Sequence, residues 1–325
     1  MPVSPAGLRF PYTRVLLPRT RVAYIHLRNH LNDAKRDRAA RISGYVAVSL
    51  LDELLLFYLV GGELVNATSR DAKGCRPLPI PSALEKVPSE PEYGEICFHE
   101  ADEEMLACMF ATHASASEPW PESFAPQDPA ALFPYLMSQT FDGILEITTN
   151  ESVNYLIFKH GTVARAFLAS AYHGTIVDRV AKLFGRESRV AELRVHRWNV
   201  QPALPVQAPP LLVQAYRDLT ASLVQRLVEL GRDSAPAIAE HARQTLLGKH
   251  PVLDCFSLSG KPAREPLADA EGLTIGVAAW IRELMWAAID HDAMSPEELL
   301  RELTWDRRHV FQSAGLYDQI PWKVM

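Results

Sequence analysis

Residues 143 to 166 read GILEITTNESVNYLIFKHGTVARA: a short alternating apolar run, a polar stretch, a nearly continuous apolar run, His-Gly, and a third run. Residues 44 to 67, GYVAVSLLDELLLFYLVGGELVNA, have the same layout without a gap. With Gly44 set on Gly143, an offset of 99 residues, Val46 falls on Leu145, Val48 on Ile147, Leu56 on Tyr155, Phe57 on Leu156 and Leu59 on Phe158. Gly62 then falls on Gly161 and Ala67 on Ala166. A hydrophobic pattern recurring at a fixed offset marks a repeated structural unit.

Each copy predicts a three-stranded antiparallel meander. The first strand alternates (Val46, Val48; Leu145, Ile147), so one of its faces is buried. The second is apolar throughout (Leu54 to Leu59; Val153 to Phe158), which requires cover on both faces. Gly61-Gly62 and His160-Gly161 suit a type I′ turn, whose two central residues need positive φ. As loop tips on a rigid sheet, these four residues are also candidate interaction positions, although the turn alone accounts for the glycines.

Flanking segments extend the pattern. PSALEKV and TIVDRVAKLF read as short helices, and DPAALFPYLMSQTFDG as a helix capped by Asp128 with Pro129 in its first turn. IHLRNHLNDAKRDRAARISG plays that part ahead of the first copy. GEICFHEADEEMLACMFATH and RVAELRVHRW read as strands, the former as a hairpin turning near Asp102 and Glu103. The Pro- and Ser-rich stretch HASASEPWPESFAPQDP separates the copies. The predicted class is α+β, with tandem units at 1–117 and 118–200, each a meander with a helix and further strand.

After the proline-rich NVQPALPVQAPP the period becomes helical, and 201–325 reads as an α-helical domain. Leu212, Tyr216, Leu219, Leu223, Leu227 and Leu230 form one apolar stripe, ended by Gly231. Ser234 with Pro236 opens the next helix, LTIGVAAWIRELMWAAI is a further one, and Ser295-Pro296-Glu297-Glu298 has the form of a capping box. Trp280 and Trp286 are expected in the core of this region.

The pattern carried by Gly143, Leu145, Ile147, Phe158, Gly161, Val163 and Ala166, with LFPYLMSQTFDG before it, resembles the PatA N-terminal-like family, a bacterial domain of unknown function. The resemblance covers about residues 128–200; the first copy is more divergent, with Leu59 where the second has Phe158. It implies an interaction or regulatory module of bacterial signalling, differentiation or motility proteins. It supplies no catalytic residues.

Composition fits this picture. At 48% hydrophobic and 22% charged the 325-residue chain has the make-up of a globular protein with room for more than one core. A formal net charge of −6 provides no field for phosphate backbones, so no nucleic-acid partner is expected. Lys35, Arg36, Arg38 and Arg41 alternate with Asp33 and Asp37 as a solvated helix face. The opening residues lack a signal-peptide core, no apolar run spans a bilayer, and four scattered cysteines form no disulfide framework. A cytoplasmic protein is expected.

Candidate chemistry is sparse. His26 and His30 lie four apart, but no Glu stands between them to serve a zinc protease, so they read as surface or capping histidines. Cys97 and Cys108, together with His99 or His113, are the candidate metal ligands if the two cysteines face each other across a hairpin. Core cysteines are the blander alternative. Gly260-Lys261 has no phosphate-loop context, no G-x-S-x-G occurs, and Asp290, His291 and Asp292 read as a solvated turn. The leading expectation is a non-catalytic scaffold or adaptor without a cofactor, acting on another protein, with self-association as a further mode. A sensor holding a metabolite or nucleotide between sheet and helix is the alternative, and an enzyme with a dispersed active site the third.

Overall fold

The computed structural model describes residues 8–36, 41–87, 93–170, 173–186, 193–256, 266–288 and 295–324. The chain divides into two compact units, 1–205 and 206–325. It is an α+β protein: two antiparallel sheets with helices, followed by a helical region. No helix among the described residues is long and apolar enough to cross a membrane.

The first unit runs β1 (Arg14–Arg21), α1 (Leu27–Arg36), β2 (Gly44–Ser49), β3 (Leu54–Val60), β4 (Glu63–Asp71), β5 (Gly74–Leu78), α2 (Ile80–Glu85), β6 (Glu95–Glu100) and α3 (Glu103–Ala114). It continues with α4 (Pro129–Ser138), β7 (Gly143–Thr148), β8 (Val153–Lys159), β9 (Thr162–Phe167), α5 (Ile176–Arg186) and β10 (Arg194–Trp198). The first sheet has the order β1-β6-β2-β3-β4-β5, the second β10-β7-β8-β9.

The 99-residue offset holds in the hydrogen-bonded register. Tyr45 pairs with His99 as Ile144 does with Trp198, and Phe57 with Ala67 as Leu156 does with Ala166. The register shift at Tyr58/Leu59 recurs at Ile157/Phe158. Gly44 and Gly143 hold equivalent crossings: a Cβ on either would lie 2.1 Å from a carbonyl oxygen of the neighbouring strand, that of His99 or Trp198. No side chain fits there.

The all-apolar second strands are explained by layering. One face of the first sheet (Val46, Leu55, Phe57) packs on α1 and α2 through Leu27, Leu31 and Ala83. One face of the second (Leu145, Leu156, Phe158) packs on α4 and α5 through Leu132, Leu136 and Val180. The opposite faces meet in one shared core, Tyr45, Leu56 and Tyr58 on one side, Ile144, Tyr155 and Ile157 on the other, with Met105, Leu106 and Met109 of α3 among them. A boundary at 117/118 follows the repeat, but the packing unites both sheets.

Two strands and one helix differ from the sequence expectation. β1 and β5 are strands that the sequence pattern does not predict; both carry a proline, Pro18 and Pro77, and both lie at an edge, where a missing N–H is tolerated. Residues 103–114 form the helix α3 instead of the second arm of a hairpin. Asp102 caps it by accepting the Glu104 and Met105 amides, with Glu103 and Glu104 in the first turn.

The second unit comprises α6 (Pro210–Glu229), α7 (Ala235–Leu246), α8 (Ala270–Ala288), α9 (Pro296–Thr304), α10 (Arg308–Ser313) and α11 (Leu316–Gln319). Its core is built on Tyr216, Leu223, Leu227, Trp280, Ile281 and Phe311. Trp280 is buried and donates to the Ala239 carbonyl at 2.8 Å. Trp286, also on α8, is 59% exposed instead; its ring rests against Trp322 and beneath Arg282, a surface arrangement. Ser295 accepts the Glu298 amide as a capping residue, and Gly231 ends α6 at φ +81°. Asp37, Arg38, Gly260, Lys261, Asp290, His291 and Asp292 lie outside the described residues.

Candidate functional site

The β8–β9 turn is locked to the end of α4. His160 and Gly161 have φ of +50° and +74°. The Gly161 amide donates to the Phe141 carbonyl at 2.9 Å, and the His160 amide to Asp142 Oδ1 at 2.7 Å. A Cβ on Gly161 would stand 2.6 Å from the Met137 Cα. At the other tip, Gly61 and Gly62 have φ of +57° and +84°, and a Cβ on Gly61 would meet nothing within 4 Å. The first tip is anchored in the same way, its Gly62 amide donating to the Ile42 carbonyl at 2.8 Å and its Gly61 amide to Ser43 Oγ at 3.1 Å; the tips differ in that a Cβ has open space at Gly61 and is blocked at Gly161.

α4 begins at Asp128, whose carboxylate accepts the Ala130 amide at 2.9 Å. Pro134 inside the helix has no N–H, which leaves the Ala130 carbonyl without its helical donor. α5 starts with a reciprocal pair: Thr175 donates to Asp178 through its amide and hydroxyl, and the Asp178 amide donates back to Thr175 Oγ1. These bonds hold the Asp178 carboxyl below its usual range.

Between α4, α5 and the outer face of β8–β9 lies a pocket of about 1130 Å³. Phe158 and Val163 form its floor; Phe133, Pro134 and Met137 line the α4 wall; Val177, Val180 and Phe184 line the α5 wall. Its volume lies a little above the range typical of ligand pockets, about 300–1,000 Å³. At its mouth Met137 is 59% and Val177 76% exposed. Asp128, the ionisable side chain of the lining, is occupied in capping α4. The pocket can take up apolar surface. It presents no paired base and nucleophile.

The candidate metal ligands do not converge. Cys97 and His99 sit on β6, but Cys108 is on α3, buried in the shared core. No group of three metal-ligating side chains occurs among the described residues. Burial, the largest cause in each case, pushes all three thiols Cys75, Cys97 and Cys108 up, Cys75 to about 11. They are therefore thiols at neutral pH. His99 is stacked on Tyr12 with centroids 4.5 Å apart and shares a 2.9 Å hydrogen bond with the Tyr45 hydroxyl. Of the other histidine pair, His26 Nδ1 accepts the Asn29 amide near the start of α1, and His30 packs edge-on against Phe98.

His113, the alternative ligand to His99, is instead a buried core residue. His113, on α3, lies between Tyr58 and Thr68, its Nδ1 3.3 Å and 3.2 Å from their hydroxyl oxygens. Burial, with Arg70 as a lesser cause, pushes the imidazole down to about 3, so it is neutral. On the helix His113 lies one turn beyond Met109 and is buried as Met109 is.

No family model, curated protein or solved structure matches the chain.

Proposed function

We propose that this is a non-catalytic interaction or regulatory protein whose recognition element is the α4–α5 pocket. The observation carrying this reading is the pocket itself: a large cavity with apolar walls, an exposed apolar mouth and no reactive pair of side chains. Exposed apolar surface beside a concavity marks a place where another molecule is received. The resemblance to PatA N-terminal-like domains adds the expectation that the partner is a signalling or motility protein in the bacterial cytoplasm. The pocket volume also favours a second reading, a sensor that holds an apolar small molecule in the same place.

An environment-sensitive anionic dye whose aromatic rings bind apolar surface, 1-anilinonaphthalene-8-sulfonate, tests the site. The native chain is expected to bind it with a fluorescence rise, and the exposed-mouth variants Met137→Asp and Val177→Asp to bind it about tenfold more weakly, the loss of one apolar side-chain contact, at unchanged circular dichroism. Equal binding by all three proteins removes the pocket as the recognition element. A native mass exceeding the sequence mass by a few hundred daltons would shift the reading to the sensor.

A further inference from the structure

The two sheets differ at one edge. In the first, β5 pairs antiparallel along β4, with Leu78 opposite Ala67 and Arg76 opposite Ser69. Leu78 also packs on the core beneath α1 and α2. Offset by 99 residues, the counterpart of β5 is 173–177, HGTIV. That segment forms no strand: Gly174 takes φ +116°, the Thr175–Asp178 pair starts a helix, and Ile176 and Val177 become the first turn of α5. Among the described residues, β9 therefore has no strand on its outer side.

The remaining sheet edges are guarded. β1 contains Pro18 and two register irregularities, β5 contains Pro77, and β10 is bridged at Arg197 by Glu118. β9, TVARAF, has neither proline nor lysine, and its one charged residue, Arg165, is engaged by Asp102 and Glu104 at the start of α3. Natural sheets blunt an open edge unless it is used. The pocket adjoins this same edge: Val163 forms its floor, and Ala166 answers to Ala67, the partner of Leu78.

We propose that β9 accepts an extended segment of a partner protein as an added antiparallel strand, with an apolar side chain opposite Ala166 filling the α4–α5 pocket. The partner strand takes the place that β5 takes within the first sheet, and its apolar residue the place of Leu78. Main-chain hydrogen bonds give the affinity and the pocketed side chain the specificity. Specificity is then for an alternating strand with one large apolar residue at its centre. This inference rests on the reading of the pocket as a protein-docking site.

The full chain is titrated with short capped, fluorescein-labelled peptides of alternating Thr and Val carrying a central Leu, Phe or Trp, and amide exchange is followed along β9. At least one peptide is expected to bind and to slow exchange in β9. Ala164 lies at the β8–β9 register shift, where proline is tolerated. Ala164→Pro is expected to weaken the peptide about tenfold or more, the loss of one to two backbone hydrogen bonds, while leaving dye binding unchanged. Val177→Asp is expected to weaken both. Peptide binding that leaves β9 exchange and the Ala164→Pro affinity unchanged overturns strand addition but not the pocket. Failure of all three peptides in a chain that still binds the dye also overturns strand addition. Failure of both peptides and dye overturns the pocket reading itself.

Discussion

Gly161 meets two separate demands, and single substitutions can tell them apart. Its φ of +74° disfavours any side chain, and the Met137 backbone stands 2.6 Å from where a Cβ would be. Gly61 shares only the first demand. Gly61→Ala is therefore expected to cost about 1 kcal/mol, and Gly161→Ala on the order of 3 kcal/mol or more, because backbone crowding adds to the strain. Urea midpoints measure both; equal losses would mean that α4 moves aside freely. His113 makes a pH prediction. Its folded value of about 3 lies below the 6.5 of an open chain, so between these values the unfolded state binds the extra proton. Its contribution to stability is full above about pH 6.5 and falls by about 1.4 kcal/mol per unit as the pH drops toward 3. Unfolding of the native chain and His113→Gln at pH 7.5, 6 and 5 should show a steeper acid loss in the native chain. Parallel curves would place His113 in contact with water.

At the level of elements, the meanders were legible because alternation and glycine turns are local signals: β2, β3 and the start of β4 fall where the apolar runs place them. α3 was not legible because of its burial. A helix enclosed between two sheets is apolar on most sides (Met105, Leu106, Cys108, Met109 and Phe110 are all buried), so it lacks the stripe by which a helix is recognised. The Asp102-Glu103-Glu104 start was the available signal. The pocket was not legible either, since its floor and walls come from separated segments and depend on α5 replacing an edge strand. The resulting shared core bears on the second repeat in isolation. A fragment of residues 128–200 would expose Ile144, Val153, Tyr155, Ile157 and Trp198, which the intact unit buries. It is expected to be collapsed, dye-binding and poorly dispersed in its amide spectrum, whereas 8–205 is well dispersed. A cooperative, dispersed 128–200 would show that each repeat carries its own sufficient core.

For the whole molecule, the change of period after the proline-rich stretch coincides with a change of core. Residues 206–325 bury Tyr216, Leu223, Leu227, Trp280 and Phe311 among themselves, and Trp280 makes its hydrogen bond to Ala239 within the same unit. The sheets of the first unit likewise close on their own helices. Two cores of this kind unfold as separate cooperative blocks unless surface between them couples the transitions. Residues 206–325 alone are therefore expected to give a helical circular-dichroism spectrum and a single urea transition. Trp280→Phe should lower its midpoint, because it empties part of the core and abandons the Ala239 carbonyl. The transition of this fragment should recur as one phase in the full chain. If the fragment is unfolded, or its phase moves to higher urea when 1–205 is attached, the helical unit draws stability from its neighbour, and the α+β unit then transmits binding at its pocket to the helices through that coupling.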